Sequence, residues 1–110
     1  MSKTGRLKVC GNTALPQGII HMNPNDGFDL GLMTTSYEVD LVLGADVDPT
    51  DSANTDAAAA TLYLKNEIRN GEVHVSFQDI KRLSNVETAW VYRVDDSSDR
   101  PKLVVTGKQN

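Results

Sequence analysis

The feature that most constrains the fold of this chain is the dipeptide Asn70-Gly71 within the stretch LYLKNEIRNGEVHVSF (residues 62–77). Asn-Gly suits a two-residue type I′ turn, because both turn positions need a positive φ. A hairpin about this turn places Arg69 opposite Glu72, and it puts the charged side chains on one face and the apolar ones on the other. The stretch therefore predicts a hairpin over residues 62–77.

The same residues also allow a helix. Residues 57–60 are all alanine, good helix formers follow them, and Gly71 could take the left-handed position after the last turn. A helix over about residues 55–70 packed on an antiparallel sheet would make the chain α+β. Leu62 would then lie on the wrong face, and a strand would have to begin directly after Gly71. We favour the hairpin and keep the helix as the alternative.

The rest of the chain favours short strands joined by polar turns. Val outnumbers Ile by eleven to four and Asp outnumbers Glu by eleven to four, and these are strand and turn residues respectively. Strand-like alternation is found at residues 6–10, 19–22, 36–44, 88–96 and 102–107. We predict one mainly β domain over residues 1–110, without an internal repeat: an antiparallel β-sandwich or a partly closed barrel of six to eight strands.

The charge is distributed unevenly. No Lys or Arg occurs from Val9 to Leu64, a segment that holds eight acidic residues, and the chain carries a formal net charge of −4. An acidic surface repels phosphates, so nucleic acid is not expected as a partner, whereas a basic protein or a neighbouring copy is. No apolar run approaches the ~20 residues of a membrane span. The first residues also lack a secretion signal, so we expect an intracellular site of synthesis.

One loop could bind a cation. Asp46 and Asp48 begin the segment DVDPTDSANTD like a calcium loop, but Asp51 stands where an EF-hand needs Gly, and Ala57 stands where it needs Glu. Asp46, Asp48 and Asp51 are therefore only weak candidates for a calcium site. The alternative is a turn held by Asx hydrogen bonds.

No other pattern predicts a cofactor or a catalytic site. Cys10, His21 and His74 are far apart in the sequence and form no ligand pair at short spacing. No Gly-flanked Ser marks a nucleophile. We therefore expect a protein that is not an enzyme and that has no catalytic residues and no cofactor.

Two aromatic residues raise a further possibility. Trp90 and Tyr92 fall on the same face of the strand-like segment 88–96, and an aromatic strip on a sheet can stack on sugars. Because aromatic residues make up only 5% of the chain, we favour Trp90 as its main core residue.

Three functions follow, in order of preference. The first is a non-catalytic structural or assembly module that forms a homo-oligomer or docks on a larger lattice. Small β proteins of this composition include virion decoration, connector and tail-assembly proteins of bacterial viruses, so a virion is a further expected location. The second is an acidic inhibitor or regulator that occupies a basic surface of a partner. The third is a calcium- or carbohydrate-binding β module. The expected contact residues are Lys65, Glu67, Arg69 and Glu72 on the hairpin and Asp46, Asp48 and Asp51 in the loop.

Overall fold

The structure, a computed structural model, describes residues 2–50, 57–94 and 100–108. Eight strands and two short helices lie within these ranges. The strands are β1 (Ser2–Lys3), β2 (Leu7–Gly11), β3 (Ile19–Met22), β4 (Ser36–Gly44), β5 (Ala58–Leu64), β6 (Glu72–Val75), β7 (Thr88–Val94) and β8 (Lys102–Thr106). The helices are α1 (Pro24–Phe28) and α2 (Phe77–Arg82).

Seven of the strands close a barrel in the order β7-β2-β6-β3-β5-β4-β8, and β8 pairs back onto β7. Since β8 covers one edge of β7 over residues 90–94, β1 must pair with the other edge, which β2 also uses. The prediction of a mainly β fold with a barrel is confirmed. The sheet is mixed rather than antiparallel, because β2–β6, β3–β5 and β4–β8 run parallel.

The predicted hairpin over residues 62–77 is wrong. The turn at Asn70-Gly71 does form, and Gly71 has a positive φ of 91°, but β5 and β6 do not pair with each other. β3 lies between them, parallel to β5 and antiparallel to β6. The alternative helix over about residues 55–70 is wrong as well, because residues 58–64 form a strand; positions 55 and 56 lie outside the described residues. Insertion of β3 lets Ile20 and Met22 reach the core, where each is 1% exposed.

Alternate residues of each barrel strand fill the interior. Most of the buried apolar side chains form one cluster, which includes Ile20, Leu62, Val73 and Val91. A second, smaller cluster on the outside of the barrel joins Val42, Tyr92 and Val104, with Trp90 packed partly buried against it. Trp90 is thus not the main core residue.

The expectation that the chain has no internal repeat is also wrong. Residues 18–30 and 71–83 share the pattern Gly-x-(Ile/Val)-His-(Met/Val)-(Asn/Ser)-x-(Asn/Gln)-Asp-x-x-x-Leu. Both copies form the same structure: a glycine with positive φ, a strand, a capping Asn or Ser, and a short helix. β3 and β6 pair antiparallel with His21 opposite His74. The two units are therefore related by a pseudo-twofold axis near these histidines.

The buried carboxylate of each repeated unit accepts a hydrogen bond from the glycine N–H of the other unit. The Gly71 N–H donates to Asp26 Oδ2 at 2.8 Å, and the Gly18 N–H donates to Asp79 Oδ2 at 3.1 Å. Both carboxylates are buried. A buried acceptor needs a donor, so these reciprocal hydrogen bonds join the two turns to the two helices.

Candidate functional site

A row of polar and aromatic side chains crosses four neighbouring strands on the outside of the barrel. Cys10 of β2 is opposite His74 of β6, His74 is opposite His21 of β3, and His21 is opposite Tyr63 of β5. The apolar side chains next to them along each strand pack into the core, so these four side chains point outward. The row is symmetric about the pseudo-twofold axis, because Cys10 and Tyr63 occupy equivalent positions, as do His74 and His21.

One half of this row collects groups that can bind a metal. Cys10, Glu72 and His74 each offer a ligand atom, and these atoms lie within 4.8 Å of one another. His74 Nε2 is 3.1 Å from Glu72 Oε1. The prediction that Cys10 and His74 form no ligand pair rested on their separation along the chain, whereas the parallel β2–β6 pair places Cys10 beside His74.

The other half of the row is built differently. The His21 and Tyr63 rings meet edge to face with centroids 5.5 Å apart, and Lys65 Nζ lies 5.8 Å from the centre of the Tyr63 ring. Partial burial, with Lys65 and His74 nearby, lowers the pKa of His21. Glu67 opposes this shift, and the net effect favours the neutral form of the His21 ring.

Cys10 lacks the environment of a reactive thiol. Burial, together with the charge of Glu72, raises the pKa of the Cys10 thiol, and Lys8 opposes this shift. Nucleophilic cysteines have a lowered pKa, since the thiolate is the reactive form. The environment of Cys10 therefore does not favour nucleophilic catalysis.

An apolar patch lies at the end of the barrel where α1 sits, and we call it the α1 patch. Phe28 and Met33 are 67% and 71% exposed and line one groove. The Met33 and Thr34 N–H groups donate to Tyr37 Oη at 2.7 and 3.0 Å, and these bonds hold the segment that carries Met33. Exposed large apolar side chains next to one another are typical of a contact surface.

A second apolar patch lies beside α2, and we call it the α2 patch. Phe77 is 49% exposed and lines a groove with Leu15 and Pro16. Lys81 and Arg82 follow it on the same helix and are exposed, although Arg82 also lies 3.5 Å from the buried Asp79.

The structure separates the predicted contact residues. Lys65, Glu67 and Arg69 lie in the loop between β5 and β6, where Lys65 pairs with Glu67 at 3.7 Å. This loop borders the α1 patch, because Asn66 lines the same groove. Glu72 lies elsewhere, beside His74.

The proposed calcium loop is described only in part. Asp46 is exposed, and Asp48 Oδ1 accepts hydrogen bonds from the Thr50 N–H at 2.9 Å and the Thr50 hydroxyl at 2.7 Å. These bonds are those of an Asx turn. Asp51 lies outside the described residues.

Several members of the acidic segment contact their own chain. Asp26 accepts from the Gly71 N–H, Asp40 pairs with Arg100 at 3.7 Å, and Glu38 accepts from the Thr61 hydroxyl at 3.1 Å. The acidic segment is therefore not a surface devoted entirely to a partner. Tyr92 is 1% exposed, so it cannot stack on a sugar beside Trp90.

No family model, curated protein or solved structure matches this chain. None of the helices in the described ranges has the length and apolar character needed to cross a membrane.

Proposed function

We propose that this domain is a non-catalytic assembly module, which associates head to tail with further copies of itself as part of a larger protein lattice such as a virion. The observation that carries the proposal is the pair of exposed apolar patches, the α1 patch around Phe28 and Met33 and the α2 patch around Phe77.

The two patches lie at opposite ends of one strand pair. β3 and β6 run antiparallel, α1 follows β3, and α2 follows β6. If the α1 patch of one copy meets the α2 patch of the next, each copy still has one free end. Such a heterologous contact builds rings or open filaments rather than a closed dimer.

Charge favours a second copy as the occupant. Asp29 is exposed directly after Phe28, whereas Lys81 and Arg82 are exposed beside Phe77. The N-terminal acidic segment includes the α1 patch, and the more basic C-terminal half includes α2. Opposite charges around two apolar patches steer them together and set their orientation.

Barrel closure determines how such an assembly can form. Within the described ranges the closed barrel leaves no long free strand edge, so strand addition between copies is not the expected route. Contact through side chains of the helix-bearing ends is then the available route. The raised pKa of the Cys10 thiol also argues against a nucleophilic role for this residue.

Size-exclusion chromatography with light scattering, which measures the mass of the particle, tests the proposal. The mass of the wild-type particle should rise with protein concentration. Phe28→Ser combined with Met33→Ser removes the α1 patch, and Phe77→Ser removes the α2 patch. Each variant alone should have the mass of a single chain, while far-ultraviolet circular dichroism stays unchanged because the replaced side chains are exposed.

Mixing the two variants gives the decisive result. Each retains the patch that the other lacks, so an equimolar mixture should form a dimer that cannot grow further. Lys3→Ser, on exposed β1, is the matched control and should assemble like the wild type. A wild-type protein that stays a single chain at every concentration would refute the proposal, and so would a mixture that forms no dimer.

A further inference from the structure

We propose that Cys10, Glu72 and His74 form a binding site for a divalent transition-metal ion, with zinc as the preferred ion, on the outer face of the barrel. This inference is independent of the assembly proposal, because none of the three residues belongs to the α1 or α2 patch.

The donor set favours zinc over harder cations. Thiolate, imidazole and carboxylate are the three ligand types that zinc accepts in proteins. Calcium and magnesium bind oxygen ligands instead, and a thiolate with an imidazole selects against them. Among the described residues, this is the one group of three or more His, Cys, Asp or Glu side chains that converges within ligand distance.

The backbone holds the three side chains on one rigid surface. Cys10 is opposite His74 across the β2–β6 pair, and Glu72 lies two residues before His74 on the same face. The ligand atoms lie within 4.8 Å of one another. Ligand atoms around a zinc ion are roughly 3–4 Å apart, given metal–ligand distances of about 2.0–2.3 Å. Small side-chain rotations are therefore enough to place all three around one ion.

The site leaves one coordination position for solvent. The Glu72 and His74 side chains are each 22% exposed, so an ion between them and Cys10 would face outward. Three protein ligands and one water would complete the four-coordinate arrangement that zinc usually adopts.

The pseudo-twofold axis supplies a matched control within the chain. The positions equivalent to Cys10, Glu72 and His74 are Tyr63, Ile19 and His21. His21 is thus a histidine on the same face and in the same strand environment, but without a thiol or a carboxylate at the equivalent neighbouring positions. Replacing His21 should leave metal binding in place, whereas replacing His74 should weaken it.

Titration of the full chain with zinc alone, by calorimetry, tests the site. We expect one zinc ion per chain and a higher melting temperature in its presence. Cys10→Ser, Glu72→Gln and His74→Gln should each weaken binding by at least about tenfold, since loss of a ligand should cost no less than loss of a residue that only orients a ligand by a hydrogen bond. His21→Gln should bind within about twofold of the wild type.

Cobalt binding distinguishes a metal ligand from a structural residue, because the absorption of a cobalt-bound thiolate appears only if Cys10 binds the ion. Co²⁺ in the site should produce the near-ultraviolet absorption of a thiolate bound to cobalt, and Cys10→Ser should remove it while the metal-free melting temperature is kept. Absence of this band in the wild type would overturn the proposal. Equal loss of zinc binding in His21→Gln and His74→Gln would also overturn it, because the ligands would then be the two histidines.

Discussion

Asp26 is a buried residue whose charge bears directly on stability. The residue is 6% exposed, and its Oδ2 accepts a hydrogen bond from the Gly71 N–H at 2.8 Å. Burial raises the pKa of Asp26, the Gly71 hydrogen bond lowers it less, and Asp29 raises it further. The folded chain therefore binds this proton more tightly than the unfolded chain, so ionisation of Asp26 costs stability.

Asp26→Asn should separate the charge from the hydrogen bond. Asn keeps an oxygen for the Gly71 N–H and carries no charge, so at pH 7 this variant should be at least as stable as the wild type. Asp26→Ala leaves the Gly71 N–H without its acceptor and should lose about 1–3 kcal/mol. Urea unfolding followed by circular dichroism measures both differences.

The pH dependence of this effect has a defined sign. Below the ordinary pKa of 3.8, Asp26 is protonated in both states and costs nothing. The wild type loses stability as the pH rises from there through the higher folded pKa. The advantage of Asp26→Asn over the wild type should therefore grow with pH and then level off. An advantage that is larger at pH 4 than at pH 7 would show that burial does not govern this carboxyl.

At the scale of helices and strands, the local pattern predicted which residues form strands but not how they pair. β4 occupies the predicted residues 36–44, because Val39 and Leu41 alternate with polar neighbours and alternation reports burial of one face. Pairing depends on distant residues. Nothing in residues 62–77 shows that β3 enters between β5 and β6, since that arrangement is stabilised by burial of Ile20 and Met22.

The candidate site was even less accessible from the sequence. Cys10 and His74 come together through a parallel pair, which joins segments that are far apart along the chain. The signal that could have found it is the repeated Gly-x-(Ile/Val)-His pattern at residues 18–21 and 71–74. Two equivalent strand–helix units would have suggested a symmetric pairing and placed the two histidines at its centre.

Asp29, which caps the end of α1, and Lys81 in α2 carry the charges that should orient the assembly. Asp29→Lys and Lys81→Glu should each weaken self-association by about two- to fivefold, the size expected for an exposed charge pair. A chain with both substitutions should recover, because Lys at position 29 of one copy then meets Glu at position 81 of the next. Sedimentation velocity over a range of concentrations measures the strength of self-association of the three variants.

Two comparisons make this result specific to the proposed contact. Lys3→Glu, exposed on β1, should have no effect. The losses should also shrink as salt increases, since exposed charges are screened. Failure of the doubly substituted chain to recover would mean that Asp29 and Lys81 do not face each other across the contact.

At the scale of the whole molecule, β8 decides whether the sheet has free edges. It pairs with both β4 and β7, and its Val104 is buried against Val42 and Tyr92. A chain that ends at residue 101 should therefore aggregate, since two long strands lose a neighbour and an apolar cluster becomes exposed. Static light scattering at increasing concentration detects this.

Complementation separates loss of the strand from general damage. A synthetic peptide of residues 100–108 should suppress the aggregation of the shortened chain by taking the place of β8, and a peptide of scrambled sequence should not. If both peptides suppressed aggregation equally, or neither did, closure of the barrel by β8 would not be what prevents aggregation of the chain.

The position of β8 also has a consequence for synthesis. A ribosome makes β4 well before β8, and these two strands are parallel neighbours in the finished sheet. The nascent barrel therefore cannot close until β8, which follows the other seven strands, has left the exit tunnel. During that interval one edge of β4 is unpaired, and an unpaired edge can form hydrogen bonds with a strand of another chain. Glu38 and Asp40 lie on β4. We expect repulsion between their negative charges to reduce pairing of incomplete chains until β8 has been synthesised.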